Sequence, residues 1–341
     1  MARVFYHVTW RPLSRLLYAV TSEKKTAENL LSLYGPISVL LLLIMWACGL
    51  ILGFGLLQYA AGSGLYVDEG TAGLADDLYV SGTNFFTLGL GDVYPRTLLA
   101  RILTVAEAGI GFGFLALIIG YLPALTRSFS HRELNILMLD ERAGSPATAS
   151  EMIRRNLIGG SMDRLKRLLA EWESWSAELF DSHLSYPFLA YFRSQHYNQS
   201  WLGALTTILD TSALVCSTTE GELECQAWMT FAIARHTLVD LAIVFGVPPA
   251  RTPAERLSPA ALAKLTDLLT VSGLRLRSPS AADGLLSEFR SMYEPYVLSL
   301  AKYFRLDTPM WISEEGGRDN WEATAWDKGP GRTHTHPGHH F

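Results

Sequence analysis

Residues 83–95 read TNFFTLGLGDVYP and lie between two long apolar segments. Within this stretch, glycine alternates with leucine at Gly89 and Gly91. Glycine adopts backbone angles that other residues avoid. Its alternation with larger residues lets successive carbonyl oxygens point the same way, which an ordinary strand does not allow. The stretch therefore predicts a non-helical loop, and at membrane depth such backbone is tolerated only where protein buries it or where it lines a watery path.

The flanking segments are long enough to cross a lipid bilayer. Residues 36–60 contain no charged side chain, and as a helix they would be about 37 Å long, against about 30 Å of hydrocarbon. Residues 97–125 form the second candidate and carry Arg101 and Glu107. Ionisable groups at such depth are costly and usually face protein or water. We expect Glu107 to face the pore-helix layer or a neighbouring subunit.

The charges around these segments predict their orientation. Basic residues flank the pair of segments, whereas the intervening loop is acidic, and positive charge favours the cytoplasmic side. We expect a multi-pass protein of the cell (plasma or inner) membrane with both termini cytoplasmic and the first apolar segment kept as an anchor. The basic residues are Arg3, Arg11, Arg15, Lys24, Lys25, Arg127, Arg132 and Arg142, and the acidic ones are Asp68, Glu69, Asp76, Asp77 and Asp92.

A short re-entrant helix is expected just before the loop, over residues 76–86. Asp76 or Asp77 can cap its N-terminus. Its C-terminal end would point at the loop, where its partial negative charge favours a cation. Phe85 and Phe86 are predicted to pack beside the loop.

Together, residues 36–127 resemble the pore domain of the two-transmembrane potassium-channel superfamily of prokaryotic type: outer helix, pore helix, filter and inner helix. The resemblance covers about a quarter of the chain. It implies K⁺ ions in the pore, no cofactor, and a homotetramer, because one chain supplies one strand of the filter. Gly111 matches the family's hinge-glycine position, and close helix packing near Gly109 and Gly113 is the alternative interpretation.

The resemblance also implies roles for individual residues. Thr87 would offer its carbonyl and hydroxyl to the innermost ion site, with the carbonyls of the next three residues above it. Gly91 would permit the outward turn, and Asp92 would anchor the filter from behind. The predicted K⁺ selectivity filter is Thr87, Leu88, Gly89, Leu90, Gly91 and Asp92.

Two departures from the family pattern concern the rigidity of the filter. Leu88 and Leu90 replace the usual valine and tyrosine, and Leu90 lacks the hydroxyl that bonds to the cuff around the filter. Thr83 stands where some members place a carboxylate against the filter aspartate, so Thr83, assisted by Asn84, is the predicted filter support. These differences keep a weakly selective monovalent cation channel as an alternative.

A gate is predicted at the inner end of the second segment. Ile119 and Pro123 fall where the family's inner helices cross and narrow. Pro123 removes a backbone hydrogen bond and would bend the helix, and an apolar ring can close a pore by dewetting. Gly111, Ile119 and Pro123 are therefore the candidate gating residues, with contact to lipid or neighbouring helices as the alternative for the last two.

The chain divides into an N-terminal cytosolic or interfacial segment (1–35), a pore domain (36–127), a helical cytosolic domain (128–310), and an arm with a disordered tail (311–341). Apolar residues recur at helical spacing after residue 128, so we expect an all-α domain of five to seven helices without another run of spanning length. A polar and aromatic cluster there is a candidate site for an unidentified cytosolic ligand, although a buried core cluster is the preferred interpretation. Its members are His183, Tyr186, Tyr191, Arg193, His196, Tyr197 and Gln199.

The sequence thus predicts a potassium channel regulated or assembled by its helical cytosolic domain. The net charge of −5 indicates no nucleic-acid partner, and no catalytic constellation indicates an enzyme. A rival from another class is a membrane-anchored sensor or scaffold that no longer conducts. The tail residues His334, His336, His339 and His340 suggest at most an adventitious metal site.

Overall fold

The computed structural model describes residues 2–21, 24–68, 70–157, 162–194, 196, 198–251, 255–271, 278–313 and 319–320. Helices dominate these ranges, so the predicted all-α fold is confirmed. The α-helices are α1 Ala2–Val20, α2 Lys24–Ala60, α3 Leu74–Phe85, α4 Leu98–Ala143, α5 Ala149–Leu157, α6 Met162–Ser185, α7 Trp201–Thr218, α8 Glu222–Phe245, α9 Pro259–Val271 and α10 Pro279–Phe304. A 3₁₀ turn covers Pro187–Tyr191, and two short strands are β1 Leu65–Tyr66 and β2 Tyr94–Pro95.

The chain forms two compact units. The first combines Met1–Val8 with Pro36–Arg127, and the second combines Thr9–Gly35 with Ser128–Phe341. Both long helices, α2 and α4, supply residues to each unit. These two helices are long and apolar enough to cross a membrane.

In the first unit, α2 and α4 present many large apolar side chains at the surface. Apolar patches of this extent on a water-soluble protein are rare, and they suit contact with lipid or with other subunits. Examples are Leu40, Ile44, Leu56, Leu98, Val105, Phe112, Leu117 and Ile119.

Helix α3 lies between the two long helices in sequence and begins two residues earlier than predicted. The Gly73 N–H donates to Asp76 Oδ2 at 2.8 Å, so Asp76 stabilises the first turn from inside the helix. Asp77 instead accepts a hydrogen bond from the Ser63 hydroxyl at 2.5 Å. Gly55 of α2 gives α3 room to approach, since a Cβ there would meet Leu78.

The two strands join the ends of the segment that contains α3 and the glycine-rich loop. They pair antiparallel, with Leu65 opposite Pro95 and Tyr66 opposite Tyr94. The rings of Tyr66 and Tyr94 stack with their centroids 4.8 Å apart. This ladder holds the two sides of the loop together although it comprises only two residue pairs.

In the second unit, α7 is the central helix. Each of its residues except Gly203 is buried. Three of its buried threonines, Thr206, Thr211 and Thr218, each donate their hydroxyl to the carbonyl four residues earlier. These three hydroxyls are therefore hydrogen-bonded inside the core, whereas the buried Ser212 hydroxyl of the same helix has no partner among the described residues.

Helix α8 corrects one expectation from the sequence. It is also long and apolar enough to cross a membrane, by length and composition, so the expectation of no further run of spanning length was wrong. The reason is that its charged residues are widely spaced: between Trp228 and its C-terminal end only Arg235 and Asp240 are charged. In the second unit, α8 packs against α6, α7 and α10. Its Thr230 hydroxyl donates to the Leu169 carbonyl of α6 at 3.0 Å.

A buried ionic network ties the second unit together around Arg256. Its guanidinium binds both carboxylate oxygens of Asp210, at 2.6 and 3.0 Å, and reaches Glu294 at 3.2 Å. The Tyr293 hydroxyl also donates to Asp210, at 2.5 Å. Burial disfavours the charge on Arg256, but the carboxylate of Asp210 outweighs it and holds the pKa of the guanidinium above its usual range.

Replacing Arg256 with leucine should destabilise the second unit, because Asp210 would remain as a buried, uncompensated charge. We expect a loss of about 3–5 kcal/mol in the free energy of unfolding. The control is Arg142→Leu, which removes an exposed ion pair with Glu171 and should cost less than about 1 kcal/mol. Denaturant unfolding of the full-length protein in detergent measures both, and equal losses would contradict a structural role for the network.

Candidate functional site

The glycine-rich loop has an alternating backbone. Thr87, Gly89 and Gly91 adopt positive φ values of 56°, 53° and 80°. Glycine reaches this left-handed region without steric penalty. Thr87 does so despite its Cβ, at a cost of about 1–2 kcal/mol that the surrounding contacts must offset. Left-handed residues therefore occupy every second position of the loop, as the glycine pattern predicts.

The end of α3 holds the start of this loop through backbone hydrogen bonds. The Leu88 N–H donates to the Thr83 carbonyl at 2.7 Å, and the Thr87 N–H donates to the Asn84 carbonyl at 3.0 Å. The partial negative charge at the C-terminal end of α3 thus lies next to the first carbonyls of the loop. Such a placement favours a cation over an anion there.

A tyrosine that the sequence analysis missed holds the other end of the loop. The Tyr79 hydroxyl of α3 donates to Asp92 Oδ2 at 2.8 Å. This hydrogen bond lowers the pKa of Asp92, so the carboxylate stays charged. The available signal was spacing, because Tyr79 lies one helical turn before Thr83 and therefore on the same face of α3.

Thr83 and Asn84 contact the loop through their backbone. The Thr83 hydroxyl donates within its own helix, to the Val80 carbonyl at 2.9 Å. The Asn84 side-chain nitrogen is buried without a hydrogen-bond partner among the described residues. Among the described residues, the side chain that donates to Asp92 is that of Tyr79. Thr83 and Asn84 instead supply the backbone carbonyls that accept hydrogen bonds from the start of the loop.

The loop is exposed in a single chain. Residues 86–92 are all exposed, and Leu88 and Leu90 have 61% and 63% of their surface accessible. In a bilayer, non-helical backbone is tolerated only where protein buries it or where it lines water. One copy of the chain therefore does not complete this site.

Helix α4 packs tightly against α3 at Gly111. A Cβ at this position would collide with the backbone carbonyl of Phe85. The helix continues through Gly111 and Pro123, while Ile119 is 66% exposed in the single chain. The contact with Phe85 supports close helix packing as the role of Gly111. Helix α4 continues without a break through this position.

The polar and aromatic cluster of the second unit separates into two parts. His183 is buried, and burial together with the positive charge of Arg132 lowers its pKa to about 3, so it is neutral. Its ring nitrogens lie near the Leu179 carbonyl and Arg132 Nη1, at 2.9 and 3.4 Å. Tyr191 is also in the core, against Trp10 and Phe304.

The other part of the cluster lines a cavity of about 400 Å³ within the second unit. Its walls include Glu28 of α2 and Asp140 of α4. They also include Arg193, His196 and Gln199, which lie between the 3₁₀ turn and α7. Tyr197 and the histidines of the tail lie outside the described residues. Within the described ranges, no three His, Cys, Asp or Glu side chains group together as a metal site.

Comparison with known proteins identifies the first unit. A protein-family model described as "Ion channel" matches residues 39–127, the range that holds α3, the loop and the membrane-crossing parts of α2 and α4. No curated protein and no solved structure matches the chain. The protein therefore carries an ion-channel pore domain in a quarter of its length, and the resemblance to the two-transmembrane potassium-channel superfamily is confirmed. The description of this family is that of proteins that pass ions.

Removing the Tyr79 hydroxyl should loosen the loop, because Asp92 loses its side-chain donor. For Tyr79→Phe we expect faster hydrogen–deuterium exchange of the backbone amides of residues 86–92. The control is Tyr94→Phe, which keeps the ring stacked on Tyr66 and should leave the exchange rates unchanged. Unchanged rates in Tyr79→Phe would show that this hydrogen bond does not hold the loop.

Adding one methyl group at Gly111 should separate α4 from α3. We expect Gly111→Ala to lower the melting temperature of the purified protein, because the new Cβ has no room beside Phe85. Gly109→Ala is the matched control on the same helix, where a Cβ meets nothing within 4 Å and alanine favours the helix by about 1 kcal/mol. A lower melting temperature for Gly109→Ala alone would refute the assigned contact.

Proposed function

We propose that the protein is a potassium-selective channel that passes K⁺ passively through a pore made by four copies of the chain. The observation that carries this proposal is the alternation of left-handed residues at Thr87, Gly89 and Gly91 inside a segment that matches an ion-channel family. Carbonyls presented in this way replace the hydration shell of K⁺. The pore ligands are then the Thr87 hydroxyl and the carbonyls of residues 87–90, with no cofactor other than K⁺ itself.

The exposure of the loop supports an assembly of several copies, and the proposed pore takes four of them. Each chain offers one filter strand whose polar backbone has no cover of its own, so further copies must surround the ion path. The exposed apolar side chains of α2 and α4 provide surface for both lipid and neighbouring subunits. We place the protein in the plasma or inner membrane, with both termini in the cytoplasm and the loop facing outward.

Gating in this proposal involves α4 and the second unit. Gly111, Ile119 and Pro123 are the candidate positions at which α4 bends or closes the pore. The second unit, with residues 128–310 as its helical domain and 311–341 as an arm, regulates or assembles the channel. Both α2 and α4 run from one unit into the other, and the cavity next to Glu28 and Asp140 is where an unidentified cytosolic ligand would act on them.

One specific observation keeps a weakly selective monovalent cation channel as the second candidate. Leu90 has no hydroxyl with which to brace the filter, and the Tyr79 hydroxyl donates to Asp92, outside residues 87–90 that would bind the ion. A filter that widens more easily would discriminate less between K⁺ and Na⁺. A membrane-anchored sensor or scaffold that does not conduct is the alternative from another class.

Currents through planar bilayers that contain the purified protein separate these functions. With opposed K⁺ and Na⁺ gradients, we expect a barium-sensitive current that reverses near the K⁺ equilibrium potential. Gly89→Ala should abolish it, because alanine is strained at the φ of 53°. Gly49→Ala on α2, where a Cβ meets nothing within 4 Å, is the matched control.

The other outcomes each point to one alternative. A reversal potential near zero would favour the weakly selective channel. A tetramer that shows no current under varied gating conditions would favour the scaffold, and a dimer by mass measurement would contradict the proposed pore.

A further inference from the structure

A layer of buried polar side chains lies inside the first unit, between α3 and the two long helices. Gln58 of α2, Asp77 and Ser81 of α3, and Glu107 of α4 each have no exposed surface. Buried polar groups are expensive unless they are hydrogen-bonded.

The Ser81 hydroxyl is the centre of one hydrogen-bonded chain. Its Oγ lies 2.8 Å from the Ile51 carbonyl of α2 and also contacts Glu107 Oε1 of α4. A serine hydroxyl carries one hydrogen and two acceptor lone pairs. If Ser81 donates to Ile51, the contact with Glu107 needs a hydrogen supplied by Glu107.

The opposite arrangement leaves two acceptors in contact. If Ser81 donated its hydrogen to an ionised Glu107, the lone pairs of Ser81 Oγ and the Ile51 carbonyl would face each other at 2.8 Å. A carboxylic acid at Glu107 satisfies both contacts with one hydrogen each. The hydrogen-bond geometry therefore favours the neutral acid.

The surroundings of Glu107 offer little to balance a negative charge. Among the described residues, no Lys, Arg or His lies within ion-pair distance of it, and its Oε2 is buried without a partner. The acidic side chains of α3 are Asp76 and Asp77, neither of which can balance a negative charge, while Arg101 of α4 is exposed and donates to the Pro95 carbonyl. An unpaired ionised carboxylate in such a place carries a large desolvation cost.

We propose that Glu107 is a positioning residue that acts as a neutral carboxylic acid. Glu107 donates to Ser81, and Ser81 donates to the Ile51 carbonyl. One chain of hydrogen bonds therefore connects α4, α3 and α2. Helix α3 also holds the loop, through its C-terminal carbonyls and through Tyr79. Glu107 thereby keeps the filter in place from behind without contacting an ion. The consequence for conduction rests on the proposed channel function, whereas the protonation of Glu107 does not.

Infrared spectroscopy tests the protonation directly, without any current. The wild-type minus Glu107→Gln difference spectrum of the purified protein at neutral pH should show the C=O stretch of one protonated carboxyl group. The appearance of carboxylate bands instead would overturn the proposal. Because glutamine keeps an N–H donor towards Ser81 and a similar shape, this variant is expected to fold.

Bilayer recordings test the positioning role. Wild-type current should become shorter-lived as the pH is raised, because removal of the proton breaks the chain of hydrogen bonds, and it should recover when the pH is lowered. Glu107→Gln should conduct normally and lose this pH dependence, whereas Glu107→Ala and Ser81→Ala should show short-lived current at every pH. A role in packing alone would not give different pH profiles for glutamate and glutamine.

Two results would overturn the positioning role. One is a pH profile in Glu107→Gln equal to that of the wild type, and the other is Glu107→Ala current as long-lived as that of Glu107→Gln. If the wild type passes no current at all, the proposed channel function fails, and the infrared experiment still decides the state of Glu107.

Discussion

The structure of the first unit depends on one constraint: backbone that leaves a helix inside a membrane must still satisfy its polar groups. The last turn of α3 satisfies the first backbone N–H groups of the loop, because the carbonyls of Thr83 and Asn84 accept hydrogen bonds from them. The carbonyls of the loop itself remain uncovered in one chain. At membrane depth, such backbone needs either protein around it or a watery path beside it.

The start of the loop is hydrogen-bonded to the C-terminal end of α3, so contacts that fix the position of α3 also fix the position of the loop. Gly55 and Gly111 let the two long helices approach α3 closely, and Ser81 links all three helices. Tyr79 carries the same support to Asp92 at the far end of the loop. Packing and hydrogen bonds around one short helix thus determine the geometry of the exposed loop that follows it.

How far the sequence predicted the structure depends on the range of the interactions involved. The helical character of the region after residue 128 was predicted from apolar spacing alone, since that signal is local. The start of α3 was misplaced because Asp76 acts from the third helical position and not from the cap. Tyr79 was missed because its role depends on contact with a residue thirteen positions away, and the cavity by Glu28 and Asp140 joins parts of the chain still farther apart.

The sequence by itself determined the two apolar spans of the first unit and the glycine-rich loop between them, and hence the class of protein, because hydropathy and glycine's conformational freedom are properties of single residues and their neighbours. Only the tertiary structure decided which side chains hold the loop. Asp92 pairs with Tyr79, Glu107 with Ser81, and Arg256 with Asp210. Such pairings are set by how helices pack, and packing brings together residues whose separation along the chain carries no signal of contact.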